Sequence, residues 1–380
     1  MLLRLFLDTN IIRIRKLIKS LVFSNITVDM VYLLIFLILL LCLNVYCLLA
    51  RKYGVVAHVN ERSSHQKPVV TGAGIIFCIS YVLYIGYLLW QKKPIPLHLS
   101  VAAILLAIIS FVDDIKEIWF FIRLCIHFLA VFLLMWQLKA DFQIHIFSLR
   151  LVDWFAVVFL AILFVGGVNL YNFMDGVNGM IGGLSLAFFI STFFINTFIV
   201  EFIDPNFLIF LSIPCLIFMF FNFRNSPACF CGDVGSIFLG FMVMYVLCSL
   251  IIKTENFVYI LLFSVVIIEA GYTVLQRLLI GQNIFKPHRI HLFQLLCNQG
   301  EKSHLCVSSF YFGIQIFLGI FVSAINYFAM PLFLQYVLSF IIFLGLSIWY
   351  ILYKRKMMGG HLLEEGKPIR EFKKLVIGKE

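Results

Sequence analysis

The sequence predicts an all-α, polytopic membrane protein with about eleven transmembrane helices, and three observations support this class. Hydrophobic residues occupy 63% of the 380 positions and charged residues only 13%, whereas a soluble domain carries about 25% charged residues. Mean hydropathy is +1.04. Apolar runs of roughly 17 to 25 residues, the length of a membrane-spanning helix, recur along most of the chain.

Eleven such runs follow one another, and the third is predicted to be short. They lie near 31–50, 72–90, 97–112, 118–137, 152–170, 181–200, 206–222, 235–252, 257–275, 308–327 and 331–353. No repeat or linker divides residues 31–353, so we expect one membrane domain there, followed by a basic cytoplasmic tail at 354–380. Residues 1–30 are basic, and either lie at the membrane interface or precede a natural start at Met30.

The distribution of charge predicts an orientation. Lys and Arg concentrate in the loops after odd-numbered spans and in the tail, and such loops face the cytoplasm. A net charge of +10 suits a bacterial cytoplasmic (inner) membrane protein facing anionic lipid. No segment interleaves basic and aromatic residues as a nucleic-acid surface would, so we expect the lipid bilayer and no nucleic acid as a partner.

Five polar segments stand out, and each follows an odd-numbered span. They are 51–74, 110–117, 169–180, 222–236 and 276–307. One active surface at the cytoplasmic face explains their common parity.

The most informative segment is NLYNFMDGVNG at 169–179. Asn169, Asn172 and Asp175 would share one side of a helix, because residues three apart differ by only about 60°; Asn178 continues the series with more drift. A polar helix end before a turn is the alternative. That alternative does not explain a carboxylate at the end of a span, where ionisable groups usually mark a functional site.

Two further segments carry carboxylates. Asp113 and Asp114 are adjacent in FVDDIKEI, so on a helix they point about 100° apart; one is free to meet a metal while a neighbour holds the other. A solvated helix end is equally compatible with this pair. Asp233 and Ser236 in GDVGS begin a span, where they either cap the helix or help its free N–H groups to bind phosphate.

The last polar segment is basic. His288 and His291 in PHRIH are three apart and would share a helix face, and the neighbouring cations Arg277, Lys286 and Arg289 suit a diphosphate. Carboxylates facing a phosphate-binding cluster are the environment that Mg²⁺ selects. The residues therefore indicate metal-assisted phosphoryl chemistry at the membrane surface.

These motifs, together with NERSSHQKP at 60–68 and Asn222, resemble the polyprenyl-phosphate N-acetylhexosamine-1-phosphate transferases of glycosyltransferase family 4, the WecA-like group related to the MraY translocases. The resemblance implies transfer of a sugar phosphate from a UDP-N-acetylhexosamine to undecaprenyl phosphate, with release of UMP and a requirement for Mg²⁺, or Mn²⁺ in its place. PHRIH stands where the peptidoglycan enzymes carry a His-rich triplet, which argues against a muramoyl-pentapeptide substrate.

The resemblance also implies roles for the residues. Asp113 and Asp114 would orient or deprotonate the lipid phosphate and help to hold the metal. Asp233 would bind Mg²⁺, and Asp175 would support the metal and the diphosphate. The implied substrate-binding residues are Asn169, Asn172, Asn178, Asn222, Arg277, His288, Arg289 and His291.

Two other classes remain open. A transporter or flippase would also place Asp and Asn near broken spans, but it predicts polar groups at mid-membrane and symmetry between halves. An inactive homologue is the second, although all four aspartates are retained. The sugar, the glycan pathway (O-antigen or a related surface polymer) and the oligomeric state, including a homodimer, are not fixed by these patterns.

Overall fold

The computed structural model describes residues 26–57, 68–116, 118–143, 151–284 and 288–359. Within these ranges the protein is a bundle of helices, as predicted, with one two-stranded ribbon. The basic segment 1–25, most of the NERSSHQKP motif (60–67), Lys286 and the tail from 360 lie outside the described residues.

The helices of the bundle follow one another along the chain with short connections. They are α1 (Ile26–Tyr53), α2 (Ile75–Trp90), α3 (Leu97–Ile115), α4 (Phe120–Phe142), α5 (Leu151–Asn172), α6 (Met180–Phe198), α7 (Pro205–Asn222), α8 (Asp233–Thr254), α9 (Phe257–Leu279), α10 (Leu292–Asn298), α11 (His304–Tyr327) and α12 (Leu332–Met357).

Ten of the described helices are long and apolar enough to cross a membrane, and α2 is a shorter apolar helix of 16 residues. The expectation that the third span is the short one is wrong. Helix α3 has 19 residues, because the apolar run continues helically through the polar Asp113–Asp114 pair. The second span is shortened because residues 71–74 form a turn rather than the start of a helix.

Helix α8 is the centre of the bundle. It is the most enclosed of the ten long helices and packs against α2, α3, α4, α5, α6 and α9. Apolar residues on every side of the helix, as in FLGFMVMYVL, account for this position because such a helix has no polar face to offer solvent.

Helix α9 is irregular. It opens with a 3₁₀ segment (Phe257–Phe263), contains a π turn (Ile267–Gly271) and ends as a regular helix (Tyr272–Leu279). A π turn holds one residue more than an α turn and often occurs at functional sites. Glu269, which is fully buried, lies in that turn.

The ribbon and the turn after it are hydrogen-bonded to the segment before α8. Strand β1 (Val56–Ala57) pairs antiparallel with β2 (Val69–Val70). The Val70 carbonyl then accepts the Phe230 N–H at 2.7 Å, and the Gly74 N–H donates to the Cys231 carbonyl at 2.8 Å. The segment before α8 is therefore fixed by backbone hydrogen bonds on one side, at the end of the bundle where the polar segments meet.

Candidate active site

The paired aspartates at the end of α3 have different partners. One Asp113 oxygen accepts the Ile118 N–H at 2.7 Å, and the other forms an ion pair with Arg123. Arg123 Nη1 also lies 3.4 Å from Asp233 Oδ2. One guanidinium on α4 therefore bridges a carboxylate of α3 and a carboxylate of α8.

Arg123 was not among the predicted site residues. Its sequence signal was present, because it is an ionisable residue inside the predicted span 118–137, and such a residue usually faces a partner or a cavity. Its partners could not be read from the sequence, since Asp233 is 110 positions away.

Asp114 holds the start of the central helix. Its two carboxylate oxygens accept the Asp233 N–H at 2.8 Å and the Val234 N–H at 3.0 Å. First-turn N–H groups lack partners within their own helix, and the helix dipole favours a negative charge there. The alternative in which Asp233 and Ser236 cap α8 is wrong: Gly232 is the N-cap, with φ of 74°, and Asp114 supplies the acceptors.

Asp175 lies in the turn after α5. That helix ends at Asn172, so the expectation that Asn169, Asn172 and Asp175 share one helix is wrong for Asp175, because the chain turns before it. Burial raises the pKa of Asp175 to about 7, and the charges of Asp233 and Asp114 contribute to that rise. The three carboxylates are therefore close enough to repel one another.

The other polar members of this segment connect neighbouring elements. Asn172 Oδ1 accepts the Ser236 hydroxyl at 2.5 Å, which joins the end of α5 to the first turn of α8. Asn169 Nδ2 donates to the Val165 carbonyl one turn earlier in its own helix.

Asn178 and Asn222 hold the loop between α7 and α8. Asn222 Oδ1 accepts the Gly179 N–H at 2.6 Å, and its Nδ2 donates to the Cys229 carbonyl at 2.8 Å. Asn178 Nδ2 donates to the Arg224 carbonyl at 2.9 Å. Both side chains are buried, so they shape this loop; the nucleotide contacts implied for them stay predictions.

The two histidines lie before a helix and not on one. Residues 288–290 are irregular and α10 begins at Leu292, so the expectation of a shared helix face is wrong; the proline before His288 disfavours a helix there. Their rings are nevertheless 4.8 Å apart, and both pack on Phe173 beside the Asp175 turn. Burial lowers the pKa of His288 to about 4 and that of His291 well below its usual range.

Arg277 is buried at the end of α9. Its guanidinium donates to the carbonyls of Asn283 at 2.6 Å and Ile284 at 3.2 Å, so it fixes the segment that leads to the histidines. Arg289 is half-buried between those histidines. A diphosphate contact for either arginine stays a prediction.

The described residues fit a hard divalent cation through oxygen ligands, although no group of three or more His, Cys, Asp or Glu among them forms a ready-made metal site. Mg²⁺ usually takes one or two carboxylates and completes its shell with water and substrate phosphate. Asp175 and Asp233 supply that number. Burial, and then the charges of Asp233 and Asp114, raise the pKa of Asp175, and a bound cation would offset the repulsion between these carboxylates.

A cavity of about 750 Å³ opens at the opposite end of the same helices. Its walls include Lys93 before α3, Asp141 at the end of α4, and Tyr245 on α8. None of the predicted site residues lines it, so the predicted chemistry and this cavity occupy separate ends of the bundle.

The fold and this site define a class: multi-pass, all-helical membrane proteins with clustered carboxylates at one end of the bundle. Residues 96–251 match the family model of glycosyl transferase family 4. The resemblance predicted from the motifs is thereby confirmed.

Two kinds of relative match the chain. A probable undecaprenyl-phosphate N-acetylglucosaminyl 1-phosphate transferase of Bacillus subtilis is 22% identical over 342 residues, which cover 87% of this chain and 91% of that protein. A phospho-N-acetylmuramoyl-pentapeptide-transferase of Listeria welshimeri is 32% identical over 145 residues, 37% of this chain and 43% of that protein. Another, of Thermotoga maritima, is 25% identical over 253 residues, 63% of this chain and 80% of that protein.

Proposed function

We propose that this protein transfers an N-acetylhexosamine-1-phosphate from a UDP-sugar to undecaprenyl phosphate. An oxygen of the lipid phosphate would attack the phosphorus that carries the sugar. The bond between that phosphorus and the bridging oxygen would break, and UMP would leave. The product, a lipid-linked sugar diphosphate, would start a surface glycan such as O-antigen.

The convergence of four aspartates at one end of the bundle carries this proposal. Asp113 and Asp114 come from the end of α3, Asp175 from the turn after α5, and Asp233 from the start of α8. The names of the relatives support the same reaction class. The long-matching relative acts, by its name, on an N-acetylglucosaminyl 1-phosphate group, which favours an N-acetylhexosamine donor.

The chain's own groups would divide the work by charge. Arg123 neutralises Asp113 and Asp233, and it would offer further donors to a phosphate once a substrate enters. Asp114 is occupied by two backbone N–H groups and so fixes the start of α8. Both Asp113 oxygens are also engaged, one by the Ile118 N–H and one by Arg123. Because Arg123 is a side chain that a substrate phosphate would attract, Asp113 is the candidate for orienting or deprotonating the lipid phosphate.

Asp175 and Asp233 would hold Mg²⁺, with Mn²⁺ as a substitute. When bound, the ion would neutralise charge on the donor diphosphate and on the phosphoryl group in transfer, the main demand of such reactions. His288, Arg289 and His291 would contact diphosphate or sugar from the other side of the Asp175 turn.

We place the site at the cytoplasmic face of a bacterial inner membrane, with the C-terminus inside, because the basic loops share its end of the bundle. A transporter or flippase is the alternative. It would need polar groups near the middle of the spans, whereas Asp113, Asp114 and Asp233 lie at helix ends.

UMP release tests the proposal. Purified protein is supplied with undecaprenyl phosphate and a panel of UDP-N-acetylhexosamines, with Mg²⁺ or with a chelator. We expect Mg²⁺-dependent UMP release with one or a few donors. Asp113→Asn, Asp175→Asn and Asp233→Asn should each lower turnover by roughly 100-fold or more, the cost of removing a group that stabilises transition-state charge.

The matched control is Asp141→Asn, a carboxylate change at the opposite end of the bundle. Asn keeps an oxygen that can accept the Tyr245 hydroxyl, so turnover should stay within about twofold. UMP release that survives all three aspartate substitutions would contradict the mechanism. Movement of a lipid-linked sugar across vesicles without UMP release would favour the transporter.

A further inference from the structure

A second group of ionisable residues lies deeper than the aspartates, beneath the histidine segment. Glu269 in the π turn of α9 is completely buried. Its Oε1 accepts the N–H of Leu292, the first residue of α10, at 2.6 Å. Its Oε2 accepts the hydroxyl of Tyr311 from α11. One carboxylate therefore joins three helices.

The same carboxylate faces a histidine of the candidate site. Glu269 Oε1 lies 3.8 Å from His291 Nδ1, with both side chains almost fully buried. The His291 ring stacks on Phe293 at 5.2 Å, and the His291 backbone N–H donates to the Gln294 side chain at the start of α10. The ring is thus held by α10 on one side and by a buried carboxylate on another.

Helix α10 in turn touches the Asp175 turn. A Cβ built on Gly176 would lie 2.8 Å from the Phe293 ring and 3.3 Å from the Gln294 amide nitrogen. Because Gly176 has no side chain, α10 packs directly against the backbone of the Asp175 turn. The position of α10 therefore fixes the distance between the histidines and Asp175. Glu269 sets the position of α10 through its bond to Leu292.

The last long helix supplies the opposite charge. Lys354 on α12 is 1% exposed. Its ammonium donates to the Thr273 hydroxyl at 2.7 Å and to the Tyr350 hydroxyl at 3.0 Å, and the Tyr350 hydroxyl reaches the Glu269 carbonyl at 3.2 Å. A buried ionised carboxylate is costly without an opposite charge, and Lys354 is the cation that accompanies this one.

We propose that Glu269, balanced by Lys354, is a positioning residue of the proposed transferase that fixes His291 and the start of α10 against the Asp175 turn. It touches no substrate and acts through His291. This inference rests on the proposed function and adds α9 and α12 to its machinery. Neither residue falls in the region that matches the family model.

A purely structural role is the competing explanation, and comparing the change in stability with the change in turnover separates the two. Lys354 is linked to Glu269 through Tyr350 and Thr273. Two opposite buried charges often contribute little to stability together, whereas removing one of them leaves an uncompensated charge. We therefore expect Glu269→Gln and Lys354→Met each to lower the thermal midpoint. The double variant should recover most of that loss because both charges are gone.

Turnover should behave differently if Glu269 is a positioning residue. Glu269→Gln should lower kcat by roughly 10- to 100-fold, the usual cost of losing a group that orients a functional side chain. The KM for the UDP-sugar should change much less. The double variant should stay slow despite its recovered stability, and Glu269→Gln should add little in a His291→Gln background, since residues that act together are not additive.

Gln315→Met is the matched control. Gln315 is buried one turn along α11 from Tyr311, and it donates to the Leu262 carbonyl of α9 at 2.9 Å. The substitution removes a buried hydrogen bond between α9 and α11, and this bond does not involve α10. We expect a lower thermal midpoint with unchanged kcat.

A readout independent of turnover completes the test. In ¹⁵N-histidine-labelled protein, the His291 imidazole signals, assigned by their loss in His291→Gln, should shift in Glu269→Gln and Lys354→Met but not in Gln315→Met. Unchanged His291 signals, additive effects with His291→Gln, or turnover that recovers with stability in the double variant would overturn the proposal. If the wild-type protein releases no UMP, the proposed function fails, and the histidine signals alone decide the positioning.

Discussion

At the scale of single residues, the site depends on Arg123, whose single positive charge is shared by two aspartates. One nitrogen of Arg123, Nη1, contacts both Asp113 and Asp233. A lysine ammonium also carries its charge on one nitrogen and can meet both carboxylates, but it lacks the other guanidinium donors that would meet a phosphate.

We therefore predict that Arg123→Lys retains measurable activity while Arg123→Gln loses roughly 100-fold or more of kcat/KM, as for removal of one electrostatic contact in other enzymes. UMP release at varied UDP-sugar concentrations measures both. Lys139→Gln, at the other end of the same helix, is the control. Equal activity of Arg123→Gln and wild type would exclude a role for the bridge.

Asp175 gives a prediction on pH. Its pKa is raised to about 7 by burial and by Asp233 and Asp114, so this proposed metal ligand is largely protonated below that value and is free to bind the ion above it. Activity should rise as pH increases through about 7. Asp233→Gln or a higher Mg²⁺ concentration should move the midpoint of this rise to lower pH, since each reduces the repulsion felt by the Asp175 carboxylate. A midpoint that stays the same under both changes would contradict this assignment.

The same shift has a consequence for stability. A carboxylate with a folded pKa above its unfolded value of 3.8 stabilises the fold most when protonated. Its contribution is fully present below pH 3.8 and is lost as pH rises through about 7. Asp175→Asn should therefore flatten the decline of the thermal midpoint between those pH values, which unfolding scans without Mg²⁺ will detect.

At the scale of secondary-structure elements, the site depends on a close crossing of α2 and α8. A Cβ on Gly74 would clash with the Gly235 Cα and would lie 2.8 Å from the Cys231 carbonyl oxygen. These are backbone atoms, so they cannot move aside as a flexible side chain would. The first turn of α8, which carries Asp233, must shift instead.

Gly74→Ala should therefore lower the free energy of unfolding by about 1 to 3 kcal/mol, the usual cost of overpacking, and the thermal midpoint with it. UMP release should fall as well, because the first turn of α8 carries Asp233. Gly86→Ala on the same helix is the matched control, because nothing lies within 4 Å of a Cβ there. Gly86→Ala should be neutral or stabilising, since alanine is the better helix former. Two variants that behave alike would argue against the crossing.

The elements also show how far sequence reasoning reaches. Composition and apolar run length were sufficient for the helical bundle, since each span is a local property. The aspartates stood out because ionisable residues in or beside an apolar span often mark a functional site, although a solvated helix end or a helix cap also explained three of them. Arg123, Glu269 and Lys354 were missed although each stands in or beside a predicted span, because their partners lie on other helices. The error at Asp175 came from extending a helix through residues that form a turn.

At the scale of the whole molecule, charged and polar side chains cluster at both ends of the bundle. The aspartates and histidines occupy one end, and the cavity with Lys93 and Asp141 occupies the other. Among the described residues, Lys and Arg concentrate in the loops of the first end, so we expect the two ends to face different compartments.

We predict that a cysteine introduced by Lys93→Cys reacts with a membrane-impermeant maleimide in intact spheroplasts, while one introduced by Glu301→Cys reacts only after permeabilisation. Cys125 and Cys306, which are exposed, are replaced by serine in both. The pattern tests the orientation inferred from loop charge. Reversed labelling would place the aspartates outside the cytoplasm and remove their access to UDP-sugars.

The π turn of α9 has a consequence for how this chain tolerates deletions. A π turn is in effect an α-helix with one inserted residue, so the helix after it is rotated by about 100° relative to an uninterrupted one. Deleting one residue between 267 and 271 would restore a regular helix and keep its apolar composition. Yet it would turn Arg277 and the segment it anchors away from the aspartates. In this helix, a single residue of chain length sets which way the histidine segment faces.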